Sequence, residues 1–192
     1  MEKIVRYADV ELRSQEEESN VVEGLAIVFN RSADLGWFTE EISPRALLGA
    51  QMDDVVLNFN HNNDVVLART TNGSLALDMR DDGVYMTSKI VQTSQGKDIL
   101  KLVREGLINK MSFAFTIADD GEKWTTDAQG REHRVIERID RLYDVSLVTF
   151  PAYPQTGAFA RAESDELADR HKALMERRAE QDRKMKELLQ HE

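Results

Sequence analysis

The stretch NGSLALDMRDDGVYMTSKI, residues 72–90, is the clearest indication of the fold class in this chain. Apolar residues alternate on both sides of its turn sequence RDDG: Leu75, Leu77 and Met79 before the turn, and Val84, Met86 and Ile90 after it. A period of two on either side of a tight turn is typical of a β-hairpin, because successive side chains of a strand point to opposite faces. The segment therefore predicts two antiparallel strands.

The rest of the chain is also rich in strand-like runs. Further strands are predicted over residues 4–12, 21–29, 54–60, 109–117 and 141–154, and the polar segment 118–139 predicts an exposed hairpin. Two short helices are predicted between them, one capped by Ser43 with Pro44 at its first position, the other capped by Ser94 and ended by Gly106. A chain of about seven strands whose helices interrupt rather than alternate predicts an antiparallel barrel or sandwich with helices packed outside.

Composition and charge restrict the function of the chain. Its 192 residues are 41% hydrophobic, which is enough for a core in one domain of ordinary size plus an appendage. The formal net charge of −10 argues against a nucleic-acid binder, and the absence of cysteine excludes disulfides, thiolate zinc sites and cysteine nucleophiles. No run approaches the roughly 20 apolar residues of a membrane-spanning helix, and the N-terminus lacks the apolar region of a secretory signal. We therefore expect a soluble, cytoplasmic protein.

The composition changes after residue 162. Residues 163–192 contain no glycine or proline and are rich in charged helix formers, but Gln181 interrupts the leucine heptad. The segment predicts a solvated, charged C-terminal helix that is partly disordered, with a docking helix for a partner as the alternative. The chain is therefore divided into a main domain, 1–162, and a tail, 163–192.

Three polar residues lie within or at the end of apolar strands. His61 follows the run VVLNFN, Ser112 interrupts NKMSFAFTI, and Asp144 lies in YDVSLV. An imidazole, a hydroxyl and a carboxylate together make an acyl-transfer triad, whose members meet in space rather than in sequence. His61 and Ser112 also have structural interpretations, as a hydrogen-bonding strand end and as a small side chain for close packing. No metal site is expected, because no second ligand lies at a suitable spacing from His61.

Several motifs, taken in order, resemble the phage prohead proteases, the HK97-type capsid maturation proteases that are related in fold to the herpesvirus assemblins. They span roughly residues 21–160 and consist of GLAIVFN, EEISPRAL, VVLNFNH, GVYMTSKI, LVREGLINKMSFAF and LYDVSLVTFPAYPQTGA. The resemblance implies a serine endopeptidase without a cofactor, in which His61 is the base and Ser112 the nucleophile. Asp144, which is often a glutamate in the family, would be the third member.

The same resemblance implies a fold and a biological setting. The fold is expected to be mainly β with α: a closed, mostly antiparallel β-barrel of about seven strands with short outer helices, and a homodimer as a candidate active form. The expected partners are the major capsid protein and scaffold segment of a phage, cut inside the immature head in the host cytoplasm, with a prophage as a candidate origin. Self-cleavage is expected within residues 155–164, and no nucleic-acid or membrane partner is expected.

Alternatives stay open for each role. Ser146 is a rival nucleophile, and His133 is a rival third member because the assemblins use a second histidine there. Backbone amides, Arg138 or Arg141 are candidates for the oxyanion donors. A different class of function is a catalytically silent assembly module that binds capsid protein through the tail, and another is a metal-dependent hydrolase.

Overall fold

A computed structural model describes residues 3–9 and 19–149 of the chain. Within this range it contains twelve β-strands, one α-helix and one 3-10 helix at Thr70–Asn72. The strands are β1 (Ile4–Asp9), β2 (Val21–Val28), β3 (Ala33–Asp34), β4 (Phe38–Ile42), β5 (Val56–Phe59), β6 (Asn62–Arg69), β7 (Leu75–Arg80), β8 (Gly83–Lys89), β9 (Lys110–Ile117), β10 (Glu122–Thr126), β11 (Glu132–Ile136) and β12 (Ile139–Val148), and the helix is α1 (Ser94–Arg104). The predicted tail 163–192 with its charged helix lies outside the described residues, as does the predicted cleavage stretch 155–164.

The strands form three sheets, none of which closes into a barrel. Their strand orders are β1-β9-β12-β5-β6, β10-β11-β4-β3 and β2-β8-β7. Two of the pairings, β12 with β5 and β11 with β4, are parallel. The prediction of a closed antiparallel barrel of about seven strands with short outer helices is therefore wrong. Periodicity in a sequence indicates which side chains are buried, but pairing and direction depend on contacts between distant segments.

One apolar cluster joins the three sheets and α1. Its fully buried members include Ile27 of β2, Met86 of β8, Phe115 of β9, Ile136 of β11 and Leu142 of β12. Burying a side chain of this size contributes about 1.5–3 kcal/mol relative to leaving it in water. This shared burial, rather than hydrogen bonding between sheets, accounts for most of the attraction that holds the open sheets together.

The hairpin predicted from residues 72–90 is confirmed. Strands β7 and β8 pair antiparallel from Leu75 opposite Ser88 to Arg80 opposite Gly83. Gly83 cannot carry a side chain, because a Cβ atom there would lie 2.1 Å from the carbonyl oxygen of Ile27 on β2. The glycine thus allows β2 to complete the three-stranded sheet on the other side of β8.

The helix predicted to begin at Ser94 and end at Gly106 is also confirmed, as α1. Its cap is Thr93 rather than Ser94, since the Thr93 hydroxyl oxygen accepts a hydrogen bond of 3.1 Å from the Gly96 amide. Gly106, with φ of 71°, takes the left-handed conformation that commonly ends a helix. The buried face consists of Gly96, Ile99, Leu100 and Val103. This helix leads the chain directly into β9.

The helix predicted after Ser43 is wrong. Residues 44–49 form a succession of turns, in which the amides of Ala46, Leu48 and Ala50 donate to carbonyl groups three residues earlier. The Ser43 hydroxyl accepts a bond from the Arg45 amide, so it caps a turn instead of a helix. Ala46 and Leu47 are buried, and their burial fixes this short segment without helical propagation.

The polar segment 118–139 folds as the predicted hairpin, with β10 antiparallel to β11. It is not an excursion from the fold, because β11 also pairs with β4 and carries the buried Arg134. Arg134 and Arg6 of β1 both donate to the Glu40 carboxylate of β4, with 3.2 Å from Arg134 Nη1 and 3.0 Å from Arg6 Nη2 to the same oxygen. A second bond joins Arg6 Nε to the other Glu40 oxygen. This ion cluster links the five-stranded sheet to the four-stranded sheet.

The ion cluster makes a testable contribution to stability. Glu40→Gln is expected to lower the free energy of unfolding by about 3 kcal/mol, because two buried guanidinium groups lose their shared negative charge and Arg134 keeps its ion pair with the partly exposed Glu122. Urea unfolding followed by circular dichroism measures the change. Glu41→Gln, at the next position of β4 and only half-buried, is the matched control and is expected to change stability by about 0.5 kcal/mol or less. Equal stabilities for the two variants would contradict the role of Glu40.

Candidate active site

His61 lies in the tight turn between β5 and β6. Phe59 pairs with Asn62, so the turn consists of Asn60 and His61 alone. Both residues have positive φ, 52° and 55°, which is the signature of a type I′ turn and is uncommon for residues other than glycine. The sequence predicted His61 at the end of a strand, and the structure places it two residues beyond the end of β5, where a left-handed backbone turns the chain.

The turn is fastened to the end of β12. The Asn60 amide donates to the Leu147 carbonyl at 2.9 Å, and the Asn60 side chain exchanges hydrogen bonds with Thr149, as acceptor from its amide at 3.1 Å and as donor to its hydroxyl at 3.1 Å. The His61 amide donates to the Ser146 hydroxyl at 3.1 Å. These bonds offset the cost of the two left-handed residues, which is of order 1–2 kcal/mol each.

The structure brings the three candidate residues together. The His61 ring spans from Nε2, which lies 2.5 Å from the Ser112 hydroxyl oxygen, to Nδ1, which lies 2.6 Å from the Asp144 carboxylate. Ser112 on β9 and Asp144 on β12 are buried, whereas 16% of the His61 side chain is exposed. The arrangement is a continuous hydrogen-bonded chain of hydroxyl, imidazole and carboxylate. Such a chain can take a proton from the hydroxyl and stabilise the resulting imidazolium.

Neighbouring strands of one sheet create this geometry. In the antiparallel pairing of β9 with β12, Ser112 lies opposite Ser146, and Asp144 lies two residues before Ser146. Because residues two apart in a strand share a face, the Ser112, Asp144 and Ser146 side chains all project to the same side of the sheet. The parallel pairing of β5 with β12 then delivers the His61 turn to that side.

The Asp144 carboxyl is ionised in this environment. Burial alone would raise its pKa, but the hydrogen bond and charge of His61, followed by those of Lys3, more than compensate and hold the pKa of Asp144 below its usual value of 3.8. Lys3 Nζ lies 2.9 Å from Asp144 Oδ2, on the oxygen that His61 does not use. Both carboxylate oxygens are therefore engaged by donors.

Ser146, the rival nucleophile, occupies a supporting position. Its hydroxyl lies beside Nδ1 of His61, at 3.2 Å, while Nε2 faces Ser112. It accepts the His61 amide and donates to the side-chain oxygen of Asn58 on β5. The geometry therefore favours Ser112 over Ser146 as the partner of Nε2. Asn58 was not singled out from the sequence, although a buried amide inside the apolar run VVLNFN was a signal that could have identified it.

The other candidates lie elsewhere. His133 is on β11, where its Nδ1 is 2.8 Å from the Thr39 hydroxyl of β4, and it does not join the group around His61. The Arg138 guanidinium donates to the Asp119 carbonyl, and that of Arg141 lies over the Tyr143 ring at 5.4 Å. The structure therefore gives no support to either arginine as an oxyanion donor.

Across residues 3–9 and 19–149, no group of three or more histidine or acidic side chains is placed to hold a metal ion. In the same part of the chain, no helix has both the length and the apolar character needed to cross a membrane.

Comparison with known proteins gives consistent matches. A family model described as "Caudovirus prohead serine protease" matches residues 8–170. The prohead protease of Enterobacteria phage HK97 is 26% identical over 166 residues, which cover 85% of this chain and 70% of that protein. A solved structure of the bacteriophage T4 capsid assembly protease matches with a TM-score of 0.44 at 13% identity, covering 77% of this chain and 99% of that one. The family match confirms the resemblance that the sequence motifs indicated.

The clamp on the His61 turn can be tested by substitution of Asn60. Asn60→Ala is expected to lower the free energy of unfolding by about 2 kcal/mol, because it loses the side-chain bonds to Thr149 and places a Cβ-bearing residue in the left-handed region. Asn60→Gly loses the same side-chain bonds, but glycine adopts the left-handed conformation without a steric cost. Its decrease in the free energy of unfolding should therefore be about half as large. Urea denaturation of both variants measures the difference. A glycine variant that is the less stable of the two would contradict this account.

The ionised Asp144 predicts a particular pH dependence of stability. A carboxyl whose pKa is lowered by folding stabilises the folded state above its unfolded pKa, and this stabilisation is lost as the pH falls through the folded pKa. The stability advantage of the wild type over Asp144→Asn should therefore shrink as the pH is lowered from 5 through 3.8 and below. Urea unfolding at a series of acidic pH values measures it. An advantage that grows on acidification would show that Asp144 is not stabilised as a carboxylate.

Proposed function

The chain belongs to the caudovirus prohead serine protease family, and we propose that it is a serine endopeptidase whose nucleophile is Ser112. His61 acts as the general base and Asp144 as the carboxylate that orients it. The observation that carries the proposal is the unbroken chain of contacts from Asp144 through the His61 ring to the Ser112 hydroxyl. A histidine ring held at both nitrogens in this way has one tautomer suited to deprotonating a serine.

The roles follow from the positions of the two ring nitrogens. With Asp144 accepting the proton of Nδ1, the lone pair of Nε2 faces Ser112 and takes the hydroxyl proton as the oxygen attacks a scissile carbonyl carbon. The imidazolium then returns this proton to the leaving amine as the C–N bond breaks. Water hydrolyses the acyl-enzyme by the same route in reverse. Asp144 stays ionised throughout, because its pKa is held low by His61 and Lys3.

The Ser112 hydroxyl has a second acceptor, the Arg6 carbonyl oxygen at 2.9 Å. A hydroxyl has one proton, so it cannot donate to His61 and Arg6 together. When His61 is protonated, its Nε2–H donates to Ser112 and the hydroxyl donates to Arg6, which leaves the nucleophile inactive. Proteolysis therefore requires the neutral imidazole and should be lost in acid.

The substrate follows from the family. We propose that the chain cuts scaffold and major capsid protein segments within the immature phage head, in the host cytoplasm, and that it cleaves itself within residues 155–164. Catalysis is assigned to residues 1–162, and residues 163–192 are assigned as a tail. A homodimer remains a prediction of the same kind. The HK97 prohead protease, 26% identical over most of this chain, supports the choice of substrate class.

The proposal is tested by incubating the full chain with its cognate capsid and scaffold proteins and identifying the fragments by mass spectrometry. Ser112→Ala and His61→Gln are each expected to lower turnover on the order of 10⁶-fold, since either change removes a member that acts as part of a unit. Ser88→Ala, which removes a serine just as buried but on β8, is the matched control and should cleave like the wild type.

The remaining outcomes are also informative. Undiminished cleavage by Ser112→Ala, with loss in Ser146→Ala, would overturn Ser112 as the nucleophile. Capsid-protein binding without cleavage by any form, the wild type included, would contradict the protease and favour a silent assembly module.

A further inference from the structure

Lys3 is a charged residue next to the proposed catalytic group that lies outside the sequence motifs and to which the proposed mechanism gives no positioning role. It immediately precedes Ile4, the residue of β1 that pairs with Phe115 of β9. Asp144 lies on β12, the next strand beyond β9. Adjacent strands are about 4.8 Å apart, so the backbones of β1 and β12 are separated by nearly 10 Å. The Lys3 and Asp144 side chains together bridge this separation, and Lys3 Nζ lies 2.9 Å from Asp144 Oδ2.

This ion pair differs from an ordinary surface pair. The Asp144 side chain is 3% exposed, whereas that of Lys3 is 42% exposed, so the lysine brings charge from the surface to a carboxylate that water hardly reaches. An exposed pair contributes little, but a carboxylate without water depends on its protein donors. The ammonium group is also 5.3 Å from the centre of the Tyr143 ring, which further restricts its position.

We propose that Lys3 is a positioning residue of the active site: its ammonium group holds Asp144 Oδ2, and so keeps Oδ1 aimed at Nδ1 of His61. This inference rests on the proposed serine protease function. Lys3 restricts the rotation of the carboxylate, because it holds Oδ2, whereas His61 and the Ser146 hydroxyl both contact Oδ1. Its positive charge also offsets part of the negative charge that Asp144 presents to the imidazole.

The groups around the carboxylate make the expected effect specific. In the described part of the chain, the charged or titratable side chains that contact Asp144 are His61, from the β5–β6 turn, and Lys3, which directly precedes β1. The Ser146 hydroxyl, at 3.3 Å from Oδ1, is neutral. Arg141 lies over the Tyr143 ring, on the same strand. Loss of the Lys3 charge should therefore raise the pKa of Asp144, whose low value depends on His61 first and then on Lys3.

The same loss should change the pH dependence of catalysis. Without Lys3, the carboxylate presents more net negative charge to the imidazole, and the protonated, inactive form of the Asp144–His61 pair persists to higher pH. The acid limb of the pH–rate profile should then move to higher pH. A purely structural role for β1 would lower the rate at every pH without moving this limb.

The experiment compares full-length wild type, Lys3→Met and Lys3→Arg by two measurements. The first is the titration of the Asp144 carboxyl carbon by NMR. The second is the rate at which a fluorophosphonate probe labels Ser112, recorded between pH 5 and 9. Lys3→Met is expected to raise the carboxyl titration midpoint, slow labelling about tenfold at pH 6 and shift the acid limb upward. Lys3→Arg should restore all three, and Lys97→Met, which removes an exposed lysine from α1, should match the wild type.

The two measurements separate failure of this inference from failure of the proposed function. An unchanged titration and an unmoved acid limb in Lys3→Met would overturn the role of Lys3. If Ser112 is not labelled in any form, the serine protease proposal fails, and with it a catalytic role for Lys3, even if the Asp144 titration still responds to Lys3. Labelling that falls equally in Lys3→Met and Lys3→Arg at every pH would also overturn the proposal, because it would indicate a requirement for packing rather than charge.

Discussion

The position of β12 between β9 and β5 is the constraint on which the rest of the site depends. One edge of β12 pairs antiparallel with the strand that carries Ser112, and the other pairs in parallel with the strand that leads into the His61 turn. Asp144, on β12 itself, then lies within reach of the His61 ring, whose other nitrogen faces Ser112. A slip of one residue in either pairing would turn the side chains of one strand to the opposite face. The register of these two pairings therefore determines whether Ser112, His61 and Asp144 meet.

The polar side chains of the site are buried, so a change in this register would be energetically costly. Asp144, Ser112, Ser146 and Asn58 are all at most 2% exposed, so each polar atom among them must find a partner inside the protein. Most do. His61 and Lys3 contact the two oxygens of the Asp144 carboxylate, and the Ser112 hydroxyl donates to the Arg6 carbonyl. The Asn58 amide nitrogen has no partner among the described residues. Nearly every polar atom of the network therefore has a hydrogen-bond partner. Buried polar groups in this condition favour one arrangement over its alternatives.

The sequence could predict the local parts of this structure and the residues of the site. The β7–β8 hairpin and α1 were predictable because their signals, alternation around RDDG and an apolar face ended by Gly106, involve near neighbours. The inward-facing Asp144 and the lone strand-associated His61 were visible as polar interruptions of apolar runs. Three open sheets and two parallel pairings were not predictable, because they join segments far apart in the chain. Lys3 was not predictable for the same reason, because its importance comes only from its contact with Asp144, which is far away in the sequence.

The N-terminal strand connects the stability of the fold to the geometry of the site. Arg6 uses its guanidinium to bind the buried Glu40 of the four-stranded sheet and its carbonyl oxygen to accept the Ser112 hydroxyl. Lys3, three residues earlier, reaches Asp144. Because the Arg6–Glu40 pair is buried, moving β1 would separate these two charges inside the protein, at a cost of several kcal/mol. The ion cluster between the sheets therefore also helps to fix the Arg6 carbonyl beside Ser112 and the Lys3 ammonium beside Asp144, although it lies outside the candidate site.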